Sequence, residues 1–299
     1  MIRKILKWIG IVLGSLIGLL VVAFVALVII GGARANKKYD IPVETISIPT
    51  GAEAIQRGEH VARIHFCQAC HAENFSGMRY FAVPGLLSIP SPNLTSGAGG
   101  VGATNTDKDW VRAIRHGVGH DGRALWIMPS RAFSHLNDGD LGALIAYLKS
   151  RPPVDNELPE RRIEPIGRIM LALGMVPPLA VDQIDHSVSH VNAPEPGVTV
   201  EYGGYLVSTT CIECHGTTLN GIPFGPPGNE TPTPNLTPGG ELAAWSEEEF
   251  IATLRTGVTP GGHQLNERMP WKYFGQMTDD ELRAVWLYLQ SLPALPQGK

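Results

Sequence analysis

The sequence predicts an all-α fold in which an N-terminal transmembrane helix, residues 1–38, precedes two helical domains built on one repeated design. Three observations lead to this prediction. Residues 8–30 carry no charge, residues 50–152 and 196–296 repeat one order of sequence signals, and the last predicted helix of each repeat has its apolar residues on one face. Residues 153–195 connect the repeats, which are called the first unit (50–152) and the second unit (196–296).

The anchor prediction rests on length and flanking charge. The chain begins with Arg3, Lys4 and Lys7 and continues with an uncharged apolar stretch over residues 8–30. A helix of about 20 apolar residues crosses the hydrocarbon core of a bilayer. The basic residues favour a cytoplasmic N-terminus, so we expect a single-pass membrane protein with both units on the other side of the membrane from the cytoplasm. A cleaved signal peptide is the alternative, but its apolar region is usually only roughly 7 to 15 residues long.

Two features of the chain concern its partners. Gly10, Gly14 and Gly18 lie four residues apart, and small residues at this spacing let another transmembrane helix approach closely, although glycine is also common in membrane helices in general. The spacing raises the hypothesis of a second transmembrane subunit or a dimer. The formal net charge of −4 argues against nucleic acid as a partner.

Each unit contains one C-x-x-C-H motif, and the two motifs use all four cysteines of the chain. Two thiols separated by two residues can add to the two vinyl groups of one haem, and the adjacent imidazole can then reach the iron. The motifs therefore predict two covalently bound haem c groups. The predicted attachment residues are Cys67 and Cys70 in the first unit and Cys211 and Cys214 in the second, with His71 and His215 as iron ligands.

Three other uses of the cysteine pairs fit the sequence less well. A single zinc site with four thiolates normally has its pairs about 15 to 20 residues apart, whereas these pairs are far more widely separated. A thioredoxin-like redox motif or a simple disulfide gives no reason for a histidine to follow each pair. Covalent haem attachment is therefore the preferred interpretation.

The internal repeat extends well beyond the haem motifs. Each unit has an Asn-Leu-Thr element, followed by a Ser or Thr with an acid three residues later, which is the capping-box pattern of a helix start. Each of these helices ends at a glycine, and a last helix begins with a second pair of cap and acid. The matching positions are Asn93 and Asn235, Thr106 and Ser246, Gly117 and Gly257, and Asn137 and Thr278.

A methionine followed by proline occurs at matching places in the two units, as Met128-Pro129 and Met269-Pro270. Iron bound by one imidazole has a further axial position, and a thioether there raises the reduction potential. We predict that Met128 and Met269 fill this position.

The chain contains other histidines and methionines besides these candidate ligands. His120 and His263 lie in the loops before Met128 and Met269, so bis-histidine ligation stays open as an alternative. Unmatched methionines are predicted to be packing residues: Met78, Met170, Met175 and Met277. The remaining histidines are predicted to lie at the surface or to form hydrogen bonds: His60, His65, His116, His135, His186 and His190.

The connector contains an apolar run from Ile166 through Met175 to Pro177-Pro178. The run is too short to span a membrane. It predicts a short helix that either rests on the units or dips into the membrane surface, and packing between the units is the preferred interpretation.

These motifs resemble class I cytochrome c domains in tandem. The Asn-Leu-Thr element and the following helix look like the cytochrome c subunits of membrane-bound alcohol, aldehyde and gluconate dehydrogenases. The resemblance implies two cytochrome c-like domains, each with three main helices around one haem, with His71 and His215 proximal and Met128 and Met269 distal. Those subunits typically have three haem motifs and a C-terminal membrane attachment, whereas this chain has two motifs and an N-terminal helix.

We therefore expect a membrane-anchored dihaem cytochrome c that carries single electrons. The donor would be a dehydrogenase or a quinol-oxidising complex, and the acceptor a terminal oxidase or a soluble cytochrome. No nucleophile with a base, phosphate loop or further metal motif stands out, so no catalytic residue is predicted. The alternative is a haem enzyme subunit for peroxidase, thiosulfate or quinol chemistry, with one haem open to ligands.

Overall fold

The computed structural model describes residues 1–188, 193–225 and 230–298. His190 lies outside these residues. Helices dominate the described chain, which also contains five short strands. The fold is thus mainly helical, and the strands are an addition to the all-α prediction.

The N-terminal helix α1 spans Ile2–Ala35 and is 34 residues long. Its apolar side chains are exposed along nearly its whole length. Among the described residues, it is the one helix long and apolar enough to cross a membrane, although a signal sequence meets the same criteria.

The first unit is built around two helices in close contact, its first long helix and its last helix. A Cβ at Gly58 would overlap the backbone carbonyl of Ala143, so the two helices approach each other nearly backbone to backbone. Leu141 and Ile145 on the predicted apolar face are fully buried. The helices of this unit are α2 (Ala52–Ile64), α3 (Cys67–His71), α4 (Asp107–His116), α5 (Ser130–Phe133) and α6 (Asp138–Lys149).

A small antiparallel sheet joins the first unit to the connector. Its strands are β1 (Met78–Val83), β2 (Leu87–Ser91) and β3 (Arg162–Ile163), with β2 in the middle. The connector then forms helix α7 (Pro165–Ala172). Helix α7 packs against α1. The preferred prediction, in which this run packs between the units, is therefore wrong.

The second unit repeats the first in order and in packing. A Cβ at Gly203 would overlap the carbonyl of Ala284, which is the same contact that Gly58 makes in the first unit. Its hairpin is shorter, with β4 (Pro223–Phe224) pairing with β5 (Thr231–Pro232). The helices are α8 (Val200–Thr210), α9 (Ile212–His215), α10 (Glu247–Thr256), α11 (Trp271–Phe274) and α12 (Asp279–Ser291).

The predicted helix ends are confirmed. Thr106 and Ser246 each form a complete capping box, which pairs the free backbone N–H groups of the first turn. Gly117 and Gly257 end the same helices with φ of 68° and 74°, where a side chain would be strained. Asn137 also caps its helix, but Asp140 does not complete a box with it.

One buried apolar cluster runs through both units. A smaller cluster of Val118, Ala124 and Val181 lies between the first unit and the connector. The two units therefore share a core instead of forming two separate ones. The exact limits given above for the units and the connector remain predictions.

Candidate functional site

Each C-x-x-C-H motif forms one helical turn directly after the first long helix of its unit, as α3 and α9. Residues three apart in a helical turn lie on the same side, so each thiol pair can reach one ligand. All four thiols are free. Burial raises the pKa of Cys67 to about 12 and that of Cys211 to about 11, because it disfavours the charged thiolate.

The motif histidines are oriented by matching hydrogen bonds. Nδ1 of His71 donates to the carbonyl of Pro92, and Nδ1 of His215 donates to the carbonyl of Pro234, each at 2.9 Å. A carbonyl only accepts, so the proton lies on Nδ1 and Nε2 keeps a lone pair for a metal. Burial lowers the pKa of both imidazoles below the ordinary value, because a buried site disfavours the charged form of the ring.

These two prolines were missed by reasoning from the sequence. The signal was present, because Pro92 and Pro234 each precede the repeated Asn-Leu-Thr element. The local sequence could not show that the proline carbonyl accepts a hydrogen bond from the motif histidine, since the histidine lies about 20 residues earlier in the chain.

The Asn-Leu-Thr elements form hydrogen bonds to the chain that follows the last helix of each unit. The Nδ2 of Asn93 donates to the carbonyl of Val154, and that of Asn235 donates to Leu295, each at 2.7 Å. Each Asn Oδ1 accepts from the backbone N–H of the threonine two residues later. Both asparagines are buried. Their polar atoms are thus used within the fold, as ordinary turn chemistry requires.

The two methionine segments, residues 128–133 and 269–274, have the same local structure. Pro129 and Pro270 are the N-cap residues of four-residue helices, and the two prolines have nearly identical backbone angles. Met128 and Met269 are half-buried, and both pack against the shared core. The alternatives His120 and His263 are exposed. Iron ligation by Met128 and Met269 remains a prediction.

The donor set fits haem c better than the alternative of a shared zinc site. Each motif supplies two free thiols and an imidazole with an available Nε2. In the part of the chain that the structure describes, no three His, Cys, Asp or Glu side chains converge where they could hold a metal ion. The two cysteine pairs therefore do not meet.

Asp140, which belongs to the first unit, forms hydrogen bonds with side chains of both units. Its carboxylate accepts hydrogen bonds from Arg57 Nε and Tyr205 OH at 2.6 Å each, and from Asn137 Nδ2 at 2.7 Å. Arg57 and Asn137 belong to the first unit and Tyr205 to the second. Burial opposes ionisation, but these bonds outweigh it, so the pKa of Asp140 lies below its ordinary value. Because these three bonds occupy the carboxylate, Asp140 does not complete the capping box with Asn137.

Glu281, which belongs to the second unit, makes the equivalent connection to the first unit. Its carboxylate accepts from His60 Nε2 at 2.8 Å, from Tyr202 OH at 3.5 Å and from the backbone N–H of Thr278 at 2.7 Å. His60 follows Gly58 by two residues, as Tyr205 follows Gly203. Each unit therefore uses the same helix position to reach the carboxylate of the other, in the manner of a twofold-symmetric dimer. A cavity of about 210 Å³ lies along this contact.

The methionine segment of each unit contacts the haem motif of the other. Arg131, three residues after Met128, donates to the carbonyls of Ile212 and Glu213 at 3.1 and 3.3 Å. Its Nε also lies 3.3 Å from the Glu213 carboxylate. Sequence reasoning missed Arg131, because these partners are about 80 residues away and no periodic pattern links them.

Phe66 makes the reciprocal contact. It directly precedes Cys67, and its ring packs edge-to-face on Phe274, with centroids 5.8 Å apart. The same ring lies 6.3 Å from Phe133. Phe133 and Phe274 follow their methionines by the same number of residues, so an aromatic side chain beside the first haem motif contacts the methionine segments of both units.

The histidines outside the motifs behave largely as predicted. His65 is buried and its Nδ1 lies 2.8 Å from the carbonyl of Val61. His116 contacts the Glu44 carboxylate through Nε2 and His186 through Nδ1. Met277 is buried, in line with its prediction as a packing residue, but Met175 is 56% exposed, so the same prediction is wrong for Met175.

Comparison with known proteins identifies the family. The family model described as cytochrome c matches residues 55–152 and 200–293. The chain belongs to the cytochrome c family. Because the family model matches twice, the chain carries two covalently bound haem c groups, one in each cytochrome c region.

Named relatives of this cytochrome c are subunits of dehydrogenases. It is 30% identical over 285 residues to the cytochrome c subunit of the quinone-dependent alcohol dehydrogenase of Gluconobacter oxydans, covering 82% of this chain and 56% of the relative. It is 26% identical over 284 residues to the fructose dehydrogenase cytochrome subunit of Gluconobacter japonicus, covering 85% and 55%.

A shorter match, 36% identical over 99 residues, links it to the gluconate 2-dehydrogenase cytochrome c subunit of Pantoea cypripedii and covers 31% of this chain and 22% of the relative. The chain spans about half the length of the alcohol and fructose dehydrogenase subunits. The resemblance predicted from the motifs is thereby confirmed.

Proposed function

We propose that this protein is a membrane-anchored dihaem cytochrome c that carries single electrons between a dehydrogenase or quinol-oxidising donor and an acceptor such as a terminal oxidase or soluble cytochrome. The observation that carries the proposal is the repeated site. Two motif turns have free thiols, matching bonds from histidine to a proline carbonyl, and matching methionine segments.

In this proposal, Cys67 and Cys70 hold one haem and Cys211 and Cys214 hold the other. The bound haem supplies reversible one-electron chemistry at iron. His71 and His215 present Nε2 to the metal, and their hydrogen bonds to proline carbonyls hold the rings in one orientation and increase ligand basicity.

Methionine is the proposed second axial ligand in both units. A thioether stabilises the reduced iron, so Met128 and Met269 would raise both reduction potentials. The half-buried position of both side chains and their matching local structure support this role. An occupied axial position suits electron transfer better than ligand activation.

The contacts between the units support electron exchange within the molecule. Arg131 bonds to the second haem motif, and Phe274 packs on the residue that precedes the first haem motif. The shared core and the Asp140 and Glu281 bonds hold these segments together. A fixed arrangement lets one unit receive an electron while the other passes it on.

The relatives support a dehydrogenase as the electron donor, because they are cytochrome subunits of alcohol and fructose dehydrogenases. We place the haem-bearing units on the periplasmic side of the bacterial cytoplasmic membrane, anchored by α1, because Arg3, Lys4 and Lys7 precede the apolar stretch. A second transmembrane subunit that contacts Gly10, Gly14 and Gly18 belongs to the same proposal.

The test uses the full-length protein purified in mild detergent. We expect two haems per chain by pyridine haemochrome assay, and two one-electron steps in an optical redox titration. The oxidised protein should show the near-infrared band of methionine–iron coordination from both haems. Met128→Ala and Met269→Ala should each remove half of this band, lower one potential and let the reduced protein bind carbon monoxide at one haem.

Met277→Ala is the matched control, because Met277 is buried in the shared core and lies outside the proposed ligand set. It should leave the band and both potentials in place. Carbon monoxide binding to one haem of the unmodified protein would contradict methionine ligation at that haem and favour the haem-enzyme alternative. A protein that contains zinc in place of haem would overturn the proposal entirely.

A further inference from the structure

The connector helix α7 and the three residues that follow it present apolar side chains that the protein itself leaves uncovered. Ile166 is 56% exposed, Leu173 is 57% exposed and Met175 is 56% exposed. Ile166 and Leu173 lie seven residues apart, which places them on one helical face. Between Pro165 and Pro178 the chain has a single charge, that of Arg168.

The contacts of α7 fix its position along α1. A Cβ at Gly31 would overlap the backbone of Arg168, so the two helices meet nearly backbone to backbone. About one helical turn after Gly31, Arg34 Nη1 donates to the carbonyls of Leu171 and Ala172 at 2.8 and 3.1 Å. These carbonyls lie in the last turn of α7, where no residue four positions later continues the helix to supply the usual N–H donor.

This contact lies where the uncharged part of α1 ends. The uncharged stretch of residues 8–30 rises about 34 Å, close to the roughly 30 Å of a hydrocarbon core. Gly31 and Arg34 therefore fall at the boundary between acyl chains and headgroups if α1 spans the bilayer. The side chains of Ile29 and Ile30, which directly precede the α7 contact at Gly31, are also exposed.

We propose that α7 lies in the membrane interface, with Ile166, Leu173 and Met175 in contact with lipid acyl chains. The inference rests on the proposed function, because it requires α1 to span the membrane. Continuity with the lipid-facing surface of α1 identifies the bilayer as the occupant. Helices of this kind bury their apolar face about 5–10 Å deep at the acyl boundary.

One consequence concerns the first unit. Glu164 N–H, at the start of α7, donates to the carbonyl of Leu86 at 2.8 Å, and β3 pairs with β2. A Cβ at Gly167 would overlap the Leu86 carbonyl, so α7 also meets the hairpin closely. The membrane contact thus extends through the hairpin to the first haem motif, which makes the first unit the membrane-proximal one.

The test uses the full-length haem protein in nanodiscs that contain this chain and lipid alone. The lipid carries a diazirine in its acyl chain, and irradiation attaches it to the residues that it touches. We expect lipid adducts, mapped by peptide mass spectrometry, on the segment from Ile166 to Met175 as well as on residues 8–30. The peptide that contains Leu287, exposed on α12, should carry none.

A matched pair of variants separates this inference from general effects on α1. Gly31→Ala introduces a Cβ into the α7 backbone, whereas Gly14→Ala meets open space. The first should remove the α7 adducts and the second should keep them. Adducts confined to α1 in the unmodified protein would overturn the inference, as would equal α7 adducts in both variants.

Binding of α7 to a protein subunit instead of lipid would also give no α7 adduct in these discs. Haem content and the redox titration are measured on the same sample. If they are normal while α7 is unlabelled, the inference fails and the proposed electron-transfer function stands. Absence of adducts on α1 itself would instead contradict the proposed membrane anchor.

Discussion

The imidazole of His60 lies 2.8 Å from the carboxylate of Glu281, in a contact that joins the first unit to the second. The Glu281 side chain is about 10% exposed and that of His60 about 31%. Asp140 and Tyr205 make the equivalent contact in the opposite direction at 2.6 Å. The two units are therefore fixed to each other by polar bonds at the edge of a shared core.

His60→Phe should destabilise the contact between the units. It leaves a buried carboxylate without one of its hydrogen-bond donors, and loss of a bond to a charged group costs about 2 kcal/mol. Urea unfolding of the haem protein, followed by circular dichroism, measures this change. Lys272→Met is the control, because the Lys272–Glu267 pair is highly exposed and should contribute little. Equal effects of the two substitutions would show that His60 does not hold the units together.

Acidification should weaken the same contact. Burial raises the pKa of Glu281, but the hydrogen bonds and charge of His60 and the Thr278 bonds outweigh it, so the pKa lies below its ordinary value of 4.5. A carboxyl with a lowered pKa in the folded state stabilises the protein above its unfolded pKa and loses this contribution as pH falls through the folded value. Stability should thus decrease below about pH 4.5.

Glu281→Gln provides the comparison for this pH dependence. The amide does not titrate, so the variant should be less stable at pH 7 but should lose less additional stability between pH 5 and pH 3. The free energy of unfolding is measured at several pH values for both proteins. Parallel curves for the variant and the unmodified protein would exclude a contribution from Glu281.

Ala72→Gly should stabilise the first unit. Ala72 directly follows His71 and has φ of 65° and ψ of 161°, a region that favours glycine. Gly216 occupies the equivalent place in the second unit with φ of 78° and ψ of 164°. Relief of backbone strain should raise the free energy of unfolding by about 1 kcal/mol. Thermal unfolding of the haem protein tests this.

Gly216→Ala is the reverse substitution. A Cβ there takes on the same backbone strain and also lies 2.7 Å from Cγ2 of Ile222. We expect a loss of stability of about 1 to 3 kcal/mol. If both substitutions destabilise the protein, backbone strain at Ala72 is not the controlling factor.

Arg131→Gln should lower the reduction potential of the second haem more than that of the first. The guanidinium bonds to the carbonyls of Ile212 and Glu213, so its positive charge lies beside the second motif and offsets the Glu213 carboxylate. Loss of a positive charge favours the oxidised iron. The shift should be on the order of tens of millivolts, since about 59 mV corresponds to a tenfold change for one electron.

Lys272→Gln is the matched control for this measurement. Lys272 occupies the position of Arg131 in the second unit, but it pairs with Glu267 at the exposed surface. Its replacement should shift neither potential by a comparable amount. Equal shifts of both haems in Arg131→Gln would indicate a general charge effect without a specific influence on the second motif.

The sequence alone determined the features that depend on local spacing. The two C-x-x-C-H motifs, the capping boxes at Thr106 and Ser246 and the glycine ends at Gly117 and Gly257 each involve residues only a few positions apart. Backbone geometry relates such neighbours directly, so their residue types are sufficient to predict the turn or the helix end. The repeat then supplied an independent check for each.

Only the tertiary structure decided the contacts between distant parts of the chain. The bonds of His60 to Glu281 and of Arg131 to the second haem motif link residues far apart in sequence, and so does the packing of α7 on α1. No local pattern encodes these pairs, because they depend on how the whole chain packs to bury its apolar surface. For the same reason the connector helix, assigned from sequence to the space between the units, lies instead against the N-terminal helix.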